Sequence, residues 1–321
     1  MTRTPSLRVL FFGTPAFAAR TLEALLASHH HVVAVVTQPD RPRGRGQRVQ
    51  SGPVKIIADT AGVPVMQPTR LKDPEWLAQL QALDLDLGVV AAYGRLLPND
   101  LLAVPRLGMI NVHASLLPRY RGASPIHQAV LAGDAETGVT IMRVVQALDA
   151  GAMLDLVRVP IGGDDTTGDV EARLAPAGAA LLVDVVNRLA LGPVTETPQD
   201  ERDVTLAPLL PKSRGLIDWT RPARDVHNQV RGLQPWPGAW TYLDGARLGI
   251  RRTSLTPDVA DTAVPGTIVA RPGADLLVVC GDGATVALVE VQPEGRRAMS
   301  AREFLMGHSV VPGTRLTPAS S

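Results

Sequence analysis

The chain has 321 residues, 45% of them hydrophobic, a formal net charge of +1 and a single cysteine. That length and apolar content supply a sizeable core and suit two domains, which excludes a disordered or fibrous chain. Near-zero charge excludes a molecule basic or acidic overall, so any nucleic-acid or membrane partner has to be met by a local patch.

Cys280 has no internal partner for a disulfide, fits a reducing compartment, and sits in "DLLVVCGDG" as a buried, inert thiol. The start "MTRTPSLRVLFFG" passes directly into a strand-like run, and no stretch reaches about 18 uninterrupted apolar residues. Neither a signal peptide nor a spanning helix is expected, and the expected compartment is the cytoplasm.

Strand-like runs come first, at Leu7 to Gly13, His31 to Thr37, Val63 to Pro68, Leu87 to Gly94 and Gly108 to Ser115. Helical patterns lie between them, among them "AFAARTLEALLAS" and "PVKIIADTAG". Strands apolar on both faces that alternate with helices predict a parallel sheet covered on both sides. In such sheets ligands lie beyond the carboxyl ends of the strands. Two further strands, "GVTIMRVVQALD" and "AMLDLVRVPI", precede a long helix from Thr166 to about Leu191. After "GPVTETPQD" the texture changes: one helix, "RPARDVHNQVRGL", leads into short alternating strands with glycine-bearing turns and a last short helix near "SAREFL". This pattern predicts a small antiparallel barrel or sheet. The domains are expected at 1–204 and 205–321, with disorder only in the tail "TPASS".

Three motifs invite functional readings. "FFGTPAF" follows the first strand but lacks the later glycines and the acidic residue of a dinucleotide site, so no nucleotide cofactor is expected. The triple histidine His29 to His31 has no carboxylate or cysteine at ligand spacing, so no metal is expected. The loop "TQPDRPRGRGQRVQSGP" is far longer than usual for such a connection and carries Arg41, Arg43, Arg45 and Arg48 against Asp40. Contact with phosphates is favoured there over a solvated charged loop, because arginine forks match phosphate geometry.

In "INVHAS" the period of a strand puts Asn111 and His113 on one face at a carboxyl end. Locally, a structural pair and a catalytic pair are equally plausible. Asp149, in "VQALDAGAML" at the end of the next long strand, tips the balance, since a carboxylate reaching the same rim would orient the histidine ring and fix its tautomer.

"NVHASLLPRYRG" followed by "LDAG" resembles the formyltransferases that use 10-formyltetrahydrofolate. "FFGTPAFAARTLEALL", "TQPDRPRGRG", "AAYGRLLP", "RGASPIHQAVLAGDAETGVTIM", "IDWTRPA" and "PWPGAW" extend the resemblance over nearly the whole chain, toward the branch acting on initiator methionyl-tRNA. The resemblance implies an α/β fold: a Rossmann-like, mostly parallel sheet domain followed by an OB-like β-barrel. It implies catalytic roles for Asn111, His113 and Asp149, and folate contacts from Ser115, Leu116, Leu117 and Pro118 with Arg95, Leu96 and Leu97. Arg45 and Arg43 would meet tRNA and Phe17 the methionyl side chain, in a monomer with folate as co-substrate and no membrane partner. A lysine frequent in the family's linker is replaced here by Leu209, and Arg119 and Arg121 receive no role.

Overall fold

A computed structural model describes residues 5–43, 48–256, 261–271 and 274–317. The chain divides into two compact units. The first comprises Met1–Pro125, Glu136–Pro160 and Glu171–Pro208, and the second Ile126–Ala135, Ile161–Val170 and Leu209–Ser321.

The first half runs β1 (Arg8–Gly13), α1 (Ala16–Leu26), β2 (His31–Val36), β3 (Arg41–Arg43), β4 (Arg48–Gln50), α2 (Pro53–Thr60), β5 (Val65–Met66) and α3 (Pro74–Gln81). It continues with β6 (Leu87–Ala91), α4 (Asn99–Leu102), β7 (Met109–His113), β8 (Arg121–Gly122), α5 (Pro125–Ala132), β9 (Glu136–Arg143), β10 (Met153–Pro160), α6 (Thr167–Leu191) and β11 (Leu206–Ala207). Seven of these strands form one sheet in the order β10-β9-β7-β6-β1-β2-β5. β1, β2, β5, β6 and β7 are parallel, whereas β9 runs antiparallel to both β7 and β10.

Sequence explains the centre of this sheet. Every residue of β6 is buried, and Phe11 and Phe12 of β1 are fully buried on opposite faces. Truncating either phenylalanine to alanine costs about 3–5 kcal/mol. Pro74 starts α3, and Asp73 caps it by accepting hydrogen bonds from the Glu75 and Trp76 backbone N–H groups. α6 is long and apolar enough to cross a membrane by length and composition. Its buried positions Leu174, Ala175, Ala179, Leu182, Val185, Val186 and Leu189 recur at helical spacing. A Cβ on Gly178 would come within 3.0 Å of the Val139 side chain and 3.4 Å of Val112. The stripe therefore packs on β7 and β9, and glycine permits the close approach.

The basic stretch after β2 holds an antiparallel pair, β3 with β4, where the sequence reading had a loop. Arg45 lies outside the described residues.

In the second unit, α7 (Ala223–Gly232) precedes β12 (Ala239–Leu243), β13 (Ala246–Leu255), β14 (Ile268–Arg271), β15 (Ala274–Val279), β16 (Thr285–Pro293), β17 (Met299–Ser300) and α8 (Ala301–Gly307). The antiparallel sheet runs β12-β13-β16-β15-β14, with β17 on β16. The last described segment joins its two edges: Thr317 exchanges backbone hydrogen bonds with Tyr242 of β12, while Gly313 and Thr314 bond Ile268 of β14. This closes the curled sheet into an OB-like barrel around Trp219, Ile250, Val278 and Phe304. Thr317, expected within a disordered tail, is thus a paired residue; 318–321 lie outside the described residues. Ser300 and Glu303 form a capping box that starts α8.

Candidate active site

β7 carries the first two candidate site residues. Asn111 and His113 share a face of the strand, with His113 at its carboxyl end and only 5% exposed. His113 Nε2 lies 3.0 Å from the Tyr120 carbonyl oxygen, so that nitrogen bears a hydrogen, because a carbonyl can only accept. Nδ1 faces Asp149 Oδ2 at 3.7 Å, within ion-pair reach but too long for a hydrogen bond. The Asn111 carboxamide is partly exposed and has no side-chain hydrogen bond among the described residues.

Asp149 reaches the histidine by a route the sequence did not reveal. β9 ends at Arg143, which pairs with Ile110, whereas His113 pairs with Thr140. The carboxyl end of this strand therefore lies away from His113, because β9 is antiparallel. The chain turns back through residues 144–152 to bring the carboxylate into place. Asp149 takes a left-handed backbone conformation, φ +47°, at a cost of order 1–3 kcal/mol for a residue other than glycine. Its Oδ2 accepts the Gly122 backbone N–H at 2.8 Å. Gly151 is required in the same turn, since a Cβ there would lie 1.9 Å from the Arg143 carbonyl oxygen.

The turn after β7 is held internally. Ser115 Oγ donates to the Arg119 carbonyl at 2.6 Å, while Thr140 Oγ1 donates to the Ser115 carbonyl at 2.7 Å and accepts from the Leu117 N–H. Ser115 and Leu117 are buried, and Leu116 and Pro118 are half-buried. Leu116 packs so near Gly138 that a Cβ there would lie 2.4 Å from it.

Beyond the neighbouring strand β6, Arg95 donates to the carbonyls of Pro68 and Thr69, Leu96 is 72% exposed, and Leu97 is buried in the core. Phe17 is also buried, in the first turn of α1. Arg43 ends β3.

Two clefts open where β1, β2 and β6 end. One, of about 290 Å³, is lined by Thr14, Gln38, Asp40 and Tyr93 among others; a second, of about 600 Å³, is lined by Gln38, Pro39, Thr69, Gly94 and Arg95. Neither lining includes Asn111, His113 or Asp149. In the first, Lys55 donates to Asp40 and to Gln67, and Gln67 donates to Asp40 and to the Gln38 carbonyl. The hydrogen bond from Lys55 holds the Asp40 carboxyl below its ordinary range. The second cleft has the size of an ordinary small-molecule site.

Four residues in this network escaped the sequence reading: Tyr120, Gly122, Arg121 and Gln199. Arg121, left without a role, is buried and donates to Gln199 and Glu201; Arg119 donates to the Tyr120 hydroxyl. The side-chain partners of Arg121 lie 78 and 80 positions away in sequence, brought near by the parallel pairing of β8 with β11, which leaves no local signal. Among the described residues no group of three or more histidine, cysteine or acidic side chains is arranged to hold a metal.

The chain carries a mostly parallel sheet, with Asn111 and His113 near one strand end and Asp149 on a turn facing His113, and a closed barrel; its class is that of the formyl transferases. The formyl transferase family model matches residues 7–186, and the model of the formyl transferase C-terminal domain matches 209–309. A methionyl-tRNA formyltransferase of Symbiobacterium thermophilum is 48% identical over 97% of this chain and 96% of its own length. That of Methylococcus capsulatus is 49% identical over 97% and 99%. The chain belongs to the methionyl-tRNA formyltransferase family. The fold is shared with an N-formyltransferase from Helicobacter canadensis in complex with folinic acid and dTDP-3-aminofucose, at a TM-score of 0.66 and 16% identity, over 89% of this chain and 99% of that one. HypX from Aquifex aeolicus, in complex with tetrahydrofolic acid, aligns over 94% of this chain with a TM-score of 0.63 and 15% identity; this chain spans 47% of that protein.

Proposed function

We propose that the protein transfers the formyl group of 10-formyltetrahydrofolate to the free α-amine of methionyl initiator tRNA, acting in the cytoplasm as a monomer. The observation that carries this reading is the convergence of Asn111, His113 and Asp149 at the end of β7 in a chain of this family. In this reading residues 1–204 carry the chemistry and 205–321 help to hold tRNA.

When bound, the folate supplies a formyl group on nitrogen that is open to attack by an amine. Asn111, whose NH₂ is not engaged by another side chain, donates to the formyl oxygen as charge builds there, a role worth about 3–4 kcal/mol in comparable sites. His113 and Asp149 receive the proton that the attacking amine gives up and return it to the departing nitrogen, a contribution of about 10² to 10⁴ fold. A new N–C bond forms, the old one breaks, and no covalent enzyme intermediate is needed.

Arg95, which lines the 600 Å³ cleft, and the exposed Leu96 next to it in the chain suit one face of a flat pterin, with Leu97 packed in the core; the 115–118 turn is the other folate contact in this reading. Because the Ser115 hydroxyl is already bonded to Arg119, contacts from that turn come from its backbone and from Leu116 and Pro118. Arg43 and Arg45 in the basic stretch meet tRNA phosphates, and Phe17 backs the methionyl pocket from the core.

The test is formylation by the purified protein with 10-formyltetrahydrofolate and charged initiator tRNA, with charged elongator tRNA and a dTDP-3-amino sugar as alternative acceptors. Formylated initiator methionyl-tRNA is the expected product; transfer only to the sugar would contradict the reading. Transfer to tRNA should weaken steeply with salt, and Arg45→Ala should lower it.

A further inference from the structure

Gln199 lies in the segment after α6. Met153 and Thr197 exchange backbone hydrogen bonds of 2.8 Å in both directions, tying this segment to the start of β10. Two residues on, Gln199 Nε2 donates to the carbonyl oxygens of Asp149 and Gly151, 2.8 Å each. Its Oε1 accepts from Arg121 Nε at 3.0 Å. Both amide hydrogens are thereby spent on the two ends of the turn that carries Asp149.

The other end of this amide is equally constrained. The Arg121 side chain is 8% exposed and its terminal nitrogens hold Glu201 at 2.8 and 3.2 Å. Its backbone N–H donates to Thr205. On either side of Arg121, the Tyr120 carbonyl accepts from His113 and the Gly122 N–H donates to Asp149. Gln199 therefore links the backbone of the Asp149 turn to the stretch that fixes both the histidine and the carboxylate. A non-glycine residue at φ +47° stays there only when its surroundings over-determine it. The Gly122 N–H fixes the carboxylate, and Gln199 fixes the peptide groups that follow Asp149.

We propose that Gln199 is a positioning residue for the transfer reaction: it holds the Asp149–Gly151 turn so that the Asp149 carboxylate faces His113. This rests on the reading of Asp149 as a catalytic carboxylate.

The experiment compares steady-state formylation by the full-length protein with that of Gln199→Glu, Gln199→Met and Asp149→Asn, each assayed below its own melting transition. Gln199→Glu keeps the acceptor that Arg121 needs and loses both donors to the turn; Gln199→Met keeps the volume and loses all three bonds. Both should lose kcat by about 10- to 100-fold, as expected for a misplaced catalytic group, with KM for folate and tRNA unchanged. A role limited to anchoring Arg121 would leave Gln199→Glu fully active. Wild-type kcat in Gln199→Glu, or a loss confined to KM, overturns the proposal while an inactive Asp149→Asn leaves the catalytic reading standing. Wild-type kcat in Asp149→Asn overturns that reading and the proposal with it.

Discussion

Each unit of the molecule buries one histidine beside an aspartate, and the two sites differ in what faces Nδ1. His227 in α7 has Nε2 on the Gly163 carbonyl at 3.0 Å and Nδ1 on the Thr253 hydroxyl at 2.9 Å, with Asp164 3.5 Å away and 74% exposed. A hydroxyl donates as readily as it accepts, so the neutral ring is fully satisfied there. Burial, the leading cause, lowers the His227 pKa below its ordinary 6.5. His113 has the same carbonyl partner on Nε2, but Nδ1 faces a carboxylate that only accepts. A histidine next to an aspartate is thus not by itself a catalytic feature; what sets His113 apart is a carboxylate held on its second nitrogen by the Gly122 N–H.

The sharpest way to break this comparison is to remove each histidine. His113→Ala should lower kcat by about 10³-fold or more while tRNA binding and melting temperature change little. Asn111→Ala should follow, at about 10²- to 10³-fold for one lost donor. His227→Leu should invert the pattern, losing about 1–3 kcal/mol of stability in denaturant unfolding because Thr253 and the Gly163 carbonyl lose their partner, with kcat kept below the melting transition. If His227→Leu loses turnover while its stability holds, the distinction fails.

A smaller effect follows from proton linkage. His227, His30 and His127 all have pKa values lowered by burial, so the unfolded chain takes up protons first. Stability from these groups is complete above their ordinary 6.5 and declines as pH falls below it. Melting temperature should therefore drop between pH 7.5 and 5 on the order of a few degrees, and the drop should be shallower in His227→Leu. The smallest signal is at Cys280, 1% exposed, whose thiol burial pushes up to about 12. Alkylation at pH 8 should be undetectable in the folded protein and rapid in denaturant.

Much of the first unit was legible because its strands are apolar on both faces, as β1 and β6 show, and because Asn111 and His113 sit two residues apart in one of them. Asp149 was legible as a partner but not in its path: the strand before it reads the same whether it runs parallel or antiparallel, and that choice depends on β7 and β10. Gln199 and Arg121 were illegible, being ordinary polar residues in linking segments whose meaning comes from the pairing of β8 with β11. Ser115 and Phe17, named from resemblance, are visible in the fold as packed residues, which sequence alone could not show.

The central claim, that the Asn111, His113 and Asp149 cluster drives formyl transfer to methionyl-tRNA, is met most directly by one measurement. It is the single-turnover rate of formylation by wild type and by the isosteric Asp149→Asn at saturating folate and charged initiator tRNA. The expected result is rapid formation of formylmethionyl-tRNA by wild type and a rate about 10²- to 10⁴-fold lower in the variant, with both substrates still bound. Equal rates in the two proteins would contradict the claim.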